Sequence, residues 1–426
     1  MQWLRIGLLL LISQTMISQS FITVEVTEFL RAGVPYHFIG TNFWYGMYLG
    51  APEPIGDRAR LIRELDRLQA LGITNLRVMA SSEGGDSATW CVQPALQPAA
   101  GVYEEALLQG LDFLLVELAK RDMVAVLCLN NFWPWSGGMA QYVSWSEGSA
   151  IPYPPPEPGG DWLKYMNYTA RFYRSAEAMQ SAEAFIRALL LRKNTISGIA
   201  LKDDPTIMAW QLANEPRGMF HPRKYRKWVR RTARLIKSLD PNHLVSLGSE
   251  GNTHVPTGNH FRKDHRMDEI DYLTIHIWIQ NWGWYDPNDP ESSFKKALQK
   301  AENYLKRHLT VAEKMEKPLV LEEFGIARDA ENYAPESVVE WRDRYYETLF
   351  SWLQQHIEAG SPWVGCNFWA WAGEGRPAKP KAVWKRGDDL IGDPPHEYQG
   401  WYSVYDTDQS TLDLILYYNQ WIKNRK

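Results

Sequence analysis

The chain has 426 residues, 45% hydrophobic and 23% charged, which is the balance of a folded globular protein and excludes an intrinsically disordered one. Its formal net charge of -4 lacks the basic excess that a nucleic acid or an anionic membrane surface would call for as partner. Three cysteines form no disulfide framework and show no metal-ligand spacing, so neither a metal nor a cofactor is expected.

Residues 1–20 read as a secretory leader. Arg5 supplies the positive start, Ile6 to Ile12 a short apolar core, and Ser18-Gln19-Ser20 a small-x-small cleavage site. The apolar run is far below the ~20 residues of a membrane span. A secreted or periplasmic protein beginning near Phe21, free of the membrane and monomeric, is therefore expected. Residues 21–426 contain no low-complexity linker and no repeat, and are expected to form one catalytic domain; barrel domains reach this length through insertions.

Short apolar runs alternate with amphipathic stretches through that region. Strands are expected over Phe38–Trp44, Asn75–Met79, Val124–Leu129, Ile207–Ala213, Leu244–Leu247, Tyr272–Ile277, Pro318–Leu321 and Gly365–Trp369. Helices are expected over Arg58–Leu71, Glu104–Arg121, Pro222–Leu239, Ser292–Glu316, Glu336–Ala359 and Thr411–Lys423. Eight strands alternating with helices predict an α/β fold, a closed parallel (β/α)8 TIM barrel in a single domain. Cys128 and Cys366 fall inside strands, where a thiol packs as a small hydrophobe. The excursion from Asn130 to about Gly160, with Pro154-Pro155-Pro156, is too polar and proline-rich for the barrel wall and is expected as a loop shaping the mouth.

Twenty tryptophans and twenty-one tyrosines are an unusual number. Many follow the expected strands, at the barrel mouth, where flat rings with a polar edge suit the faces of sugars.

The run from Ile207 ends in Asn214-Glu215-Pro216, and the proline forbids a central strand beyond it. A second apolar run ends in Glu322-Glu323-Phe324-Gly325. Glu215 and Glu323 are 108 residues apart, about three barrel units of roughly 30 to 36 residues, so strands 4 and 7 would bring both carboxyls to one face. Facing carboxylates are what glycoside hydrolysis requires. Adjacent strand residues point opposite ways, so periodicity admits one of Glu322 and Glu323 to the mouth without choosing between them.

Asn214-Glu215-Pro216 and Glu323-Phe324-Gly325 resemble the acid/base and nucleophile motifs of glycoside hydrolase family 5. The string from Lys202 through Arg217 is similar to the β-mannanase branch of that family, as is the segment from Asn130 to Gly138. The resemblance runs from about Phe38 to near the C-terminus. It implies a retaining endo-β-1,4-mannanase acting on mannan, glucomannan or galactomannan, with Glu323 as nucleophile and Glu215 as acid/base. Glu215 must then be protonated at working pH, and repulsion from Glu323 would raise its pKa. The resemblance further implies Arg77 beside the nucleophile, Asn214 on the sugar 2-hydroxyl, His276 and Trp278 from strand 6, and Trp369 as a platform under the sugar. Arg217, Glu250 and Trp133 are further rim candidates. Trp278 stands where many members carry tyrosine, and an indole donates a hydrogen bond but accepts none. A cellulase-like or exo-acting mannosidase, a transglycosylase and a silent carbohydrate-binding barrel are the competing readings.

Overall fold

Eight strands buried along their whole length form the centre of the molecule, and in the computed structural model they are described within residues 20–85, 88, 90–253 and 256–425. The expected leader, Ser20 apart, lies outside the described residues. The strands are β1 (Phe38–Asn42), β2 (Asn75–Met79), β3 (Val124–Cys128), β4 (Ile207–Gln211), β5 (Leu244–Ser246), β6 (Leu273–Ile277), β7 (Leu319–Phe324) and β8 (Trp363–Phe368). Neighbours pair in parallel in the order β5-β4-β3-β2-β1-β8-β7-β6, and a parallel bridge from Ser246 to Tyr272 closes the ring. This is the expected single-domain (β/α)8 barrel. Helices cover the outer face, which is why the strands are apolar on both sides.

The outer ring is α1 (Arg58–Ala70), α2 (Glu105–Lys120), α3 (Ala176–Leu190), α4 (Pro222–Leu239), the short α5 (Phe261–His265), α6 (Pro290–Met315), α7 (Glu340–Glu358) and α8 (Gln409–Lys423). Pro222 and Pro290 open α4 and α6 at positions where a missing amide costs nothing. Helix α3 was not expected from the sequence, though Ser175 caps it and Ala178, Ala182, Phe185, Ile186, Leu189 and Leu190 form its buried face. No described helix is long and apolar enough to cross a membrane.

Two expectations change. The excursion after β3 is partly helical: Gly138–Glu147 is an α-helix, followed by another over Trp162–Thr169. Strand β4 stops at Gln211, five residues before Pro216, because its partner β5 is only three residues long. The chain continues toward Glu215 on separate bonds, Leu212 N–H to Ser246 O, Asn214 N–H to Asn130 O and Glu215 N–H to Gly248 O, each 2.9 Å.

An unforeseen antiparallel ribbon, Ile22–Glu25, Glu28–Arg31 and Val34–Pro35, packs Ile22 and Phe29 against Phe38, Val124, Met208, Leu244, Tyr272 and Val320. It plugs the N-terminal end of the barrel. The opposite end, to which the strands deliver Arg77, Glu215, His276 and Glu323, is the functional one.

Candidate active site

Strand β7 delivers two carboxylates to the interior. Its register with β6 pairs Leu321 with Ile275 and Glu323 with His276, so Glu322 is an extra residue, a β-bulge. The alternation that would send one side chain outward is broken there. Both Glu322 and Glu323 lie inside, 1% and 3% exposed, so these adjacent residues do not face opposite ways. Glu323 is the one at the mouth. Glu322 sits beneath it, its Oε2 accepting from Gln211 Nε2 at 2.7 Å and its Oε1 from the Tyr272 hydroxyl at 3.4 Å.

The Arg77 guanidinium, fully enclosed, binds four residues. Its Nη1 donates to Glu323 Oε1 and, at 3.0 Å, to Asn42 Oδ1; its Nη2 donates to Asn214 Oδ1 at 2.8 Å and its Nε to Gln211 Oε1 at 2.8 Å. One fork therefore sets both the nucleophile candidate and the amide expected on the sugar 2-hydroxyl. Asn131, not foreseen, accepts from Asn214 Nδ2 at 3.2 Å and completes that orientation.

Glu215 adopts a positive φ of 48°, a conformation that costs on the order of 1–3 kcal/mol for a residue with a side chain and is held by the backbone bonds to the flanking strands. The strained turn aims its carboxyl inward. Oε1 meets His276 Nδ1 at 2.5 Å, and Oε2 accepts from Trp133 Nε1 at 2.6 Å. The same His276 nitrogen lies 3.2 Å from Glu323 Oε2, and an oxygen of Glu215 lies within 4.8 Å of one on Glu323. Histidine thus stands between the two carboxylates.

That position reverses an expectation. Burial pushes the Glu215 carboxyl up, but the His276 hydrogen bond and charge, the Arg217 charge and the Trp133 N–H outweigh it and lower it to about 2. Burial opposes charge on His276, yet Glu323, Glu215 and Glu322 raise its pKa well above the usual 6.5. Both directions favour the ion pair, since a cation between two anions is favoured over a neutral acid beside one.

Arg217, Glu250 and Trp133 assemble on the acid/base side. Arg217 grips Glu250 through Nε and Nη2 at 2.9 and 3.0 Å, and its guanidinium lies 4.7 Å from the Trp133 ring centre. Burial and the charge of Glu215 raise the Glu250 carboxyl to about 7 against the pull of Arg217. On the other side, the nearly buried Trp369 has an indole N–H without a hydrogen-bond partner among the described residues, where a sugar hydroxyl could accept from it. Trp278 packs edge-on to Trp369 at 6.0 Å and against Tyr402 at 5.2 Å. All ten residues singled out in the sequence therefore gather at the C-terminal end of the barrel.

The aromatic contacts that join the loops over the mouth were not foreseen. Trp162 makes edge contacts with Trp133 at 5.6 Å and with His396 at 5.8 Å, linking the segment after β3 to the segment after β8. Glu397, next to His396, has a carboxyl pushed well up by burial and then by Asp393, Glu323 and Glu215, and its Oε2 has no partner among the described residues. Nothing in the local sequence around His396 distinguishes it from an ordinary loop. Glu215, His276 and Glu323 bring ligand atoms close enough for a cation, but Arg77 already neutralises Glu323, and a divalent ion would face that guanidinium. The arrangement suits proton transfer and nucleophilic attack.

The family described as GH family 5 beta-mannosidase-like matches residues 19–426. Mannan endo-1,4-beta-mannosidase 5 of Solanum lycopersicum is 31% identical over 377 residues, covering 84% of this chain and 82% of its own. The glycoside hydrolase family 5 mannosidase of Rhizomucor miehei superposes with a TM-score of 0.88 at 38% identity, over 95% of this chain and 98% of its own. The endo-1,4-beta-mannanase of the same organism shares the fold, with a TM-score of 0.68 at 22% identity over 95% of this chain and 100% of its own.

Proposed function

Because the chain belongs to glycoside hydrolase family 5, we propose that it hydrolyses β-1,4-mannosidic linkages by double displacement, with retention at the anomeric carbon. The observation that carries this reading is the carboxylate pair, whose oxygens approach within 4.8 Å. That spacing supports direct attack, which needs roughly 5 to 5.5 Å between carboxyl groups, over the 6.5 to 9.5 Å that accommodates an intervening water.

Glu323, steadied by Arg77, attacks the anomeric carbon of a sugar lying on Trp369, while Asn214 holds the 2-hydroxyl. Forming the ester abolishes the charge of Glu323, which is the largest of the influences holding a proton on His276. The proton then passes across the 2.5 Å contact to Glu215 and on to the departing oxygen. In the second step the ionised Glu215 draws a proton from water, which attacks the ester carbon and frees Glu323; as Glu323 regains its charge, that proton returns across the same contact to His276 Nδ1 and restores the resting state. Trp133 and Arg217 stabilise Glu215 as the anion in both resting and intermediate states.

Two cutting positions have separate support. Geometry favours release from chain ends. A groove for a long polymer leaves its carboxylates open along both directions, whereas Glu215 and Glu323 are 7% and 3% exposed and aromatic rings link the loops at the mouth. The closer likeness to the Rhizomucor miehei mannosidase than to the endo-mannanase of that organism agrees. Internal cutting of mannan, glucomannan or galactomannan, as expected from the sequence, is the second reading, supported by the names of the Solanum lycopersicum relatives. Mannohexaose labelled at its reducing end separates them. Mannose with labelled mannopentaose as first products means end release; mannobiose to mannotetraose from the outset means internal cutting; and no cleavage of any mannoside removes the substrate assignment.

The leader reading completes the proposal: a monomeric enzyme exported after cleavage near Phe21. Mass spectrometry of the exported fraction of the native host tests it, and an intact Met1 to Ser20 segment contradicts it.

A further inference from the structure

One buried acid has no part in the double displacement. Glu322 reaches the barrel interior only through the bulge, and the fold places its carboxylate where three strands converge. Besides its bonds to Gln211 and Tyr272, its Oε2 lies 3.7 Å from Arg77 Nε and 4.0 Å from His276 Nε2. That imidazole nitrogen is fully buried and has no hydrogen-bond partner among the described residues. The other nitrogen, Nδ1, is the one between Glu215 and Glu323.

The groups facing the imidazole give the reason for an extra anion. Glu215 approaches from the end of β4, Glu250 from the end of β5, and Glu322 and Glu323 from β7, while Arg77 of β2 and Arg217 beyond β4 are the nearby cations. Tyr272, just before β6, and Cys128 of β3 complete the titratable set, their hydroxyl and thiol held neutral by burial. Arg217 is committed to Glu250 and Arg77 to Glu323 and three amides. A neutral imidazole would carry its single hydrogen on either nitrogen, and the Nε2 tautomer would turn a lone pair toward both catalytic carboxylates. A carboxylate facing Nε2 favours a hydrogen there without taking the one on Nδ1.

Resting on the double-displacement reading, we infer that Glu322 is a positioning residue: from below, it keeps His276 protonated on both nitrogens, so that Nδ1–H is always available to the Glu215–Glu323 pair. It thereby sets the upper pH limit of activity.

The first test uses the native enzyme and needs no substrate. In protein labelled with ¹⁵N-histidine, His276 should show two protonated ring nitrogens at pH 7 and above; a single-hydrogen imidazole at pH 7 overturns the inference. The second compares Glu322→Gln with the parent on an aryl β-mannoside. The amide keeps an acceptor for Gln211 and removes the charge. An opposite charge at this range moves a titration by about 1–3 units, so the basic limb of kcat/KM and the His276 titration should move down together by at least one unit. Activity near the acidic side of the optimum should stay within a few-fold. A uniform loss across pH with both titrations unmoved means that Glu322 only packs, and refutes the proposal. A parent enzyme that cleaves no β-mannoside refutes the function reading alone, because the labelled-histidine measurement still decides this one.

Discussion

Removing Glu215 and Glu323 separately should produce opposite kinetic signatures. In Glu215→Ala the carboxylate between His276 Nδ1 and Trp133 Nε1 disappears, at 2.5 and 2.6 Å respectively. His276 keeps Glu323 at 3.2 Å, and Arg77 keeps its four acceptors, so the nucleophile stays in place. Each buried donor left without an acceptor costs on the order of 1–3 kcal/mol of stability, which a domain of this size tolerates. General acid/base help is worth typically 10²- to 10⁴-fold, or about 2.7–5.4 kcal/mol of barrier. An aryl mannoside with a low-pKa phenol needs little of that help in the first step and all of it in the second. Stopped-flow assays should therefore show a burst of phenol equal to the enzyme concentration, then turnover slowed by two to four orders of magnitude. Azide, which needs no base, should accelerate the slow phase and yield the β-glycosyl azide. Glu323→Ala should give no burst, and azide entering its vacated face should yield the α-product. A burst from Glu323→Ala, or none from Glu215→Ala with azide without effect, would refute the assignment of roles.

Arg77→Met should cost about 3–5 kcal/mol, because it leaves the buried Glu323 carboxylate without its cation; urea unfolding at pH 7 checks this, and a loss below about 1 kcal/mol contradicts it. Burial pushes the Glu83 carboxyl up to about 8, against an ordinary value near 4.5. The sign follows: the acid is neutral when folded, so its contribution is present below about pH 4.5 and lost as pH rises through 8, on the order of 5 kcal/mol in all. Glu83→Gln should therefore fall in Tm less than the parent between pH 5 and 9, and parallel slopes would contradict it. Gly137 has a φ of 80° and a Cβ there would stand 1.8 Å from the Glu83 carbonyl oxygen, so Gly137→Ala should displace the turn carrying Trp133 and Trp135 and raise KM along with a lowered Tm.

The barrel was legible because helices bury the outer strand faces and the barrel interior the inner ones, leaving short apolar runs with little else to be. Arg77, Asn214, Glu215, His276 and Glu323 were legible because each sits at or just past such a run. What escaped depends on pairing between distant segments. The bulge at Glu322 exists only in the register with β6, and alternation along β7 alone argued for a single inward acid. The depressed carboxyl of Glu215 required knowing that His276 lies between the two acids, since charge repulsion alone predicts the opposite shift. The Trp162–His396 contact joins residues 234 positions apart in segments with no periodic pattern. Helix α3 does have such a pattern, with a serine cap, and was legible in principle.

Trapping the glycosyl-enzyme tests the central claim most directly. A 2-deoxy-2-fluoro-β-mannosyl fluoride slows both steps but keeps a good leaving group, so the covalent intermediate should accumulate and survive digestion. Peptide mass spectrometry should find one fluoromannosyl group, esterified to Glu323, with neighbouring Glu322 unmodified. A label on Glu322 or Glu215, or steady hydrolysis to the inverted sugar with no adduct, would contradict the account.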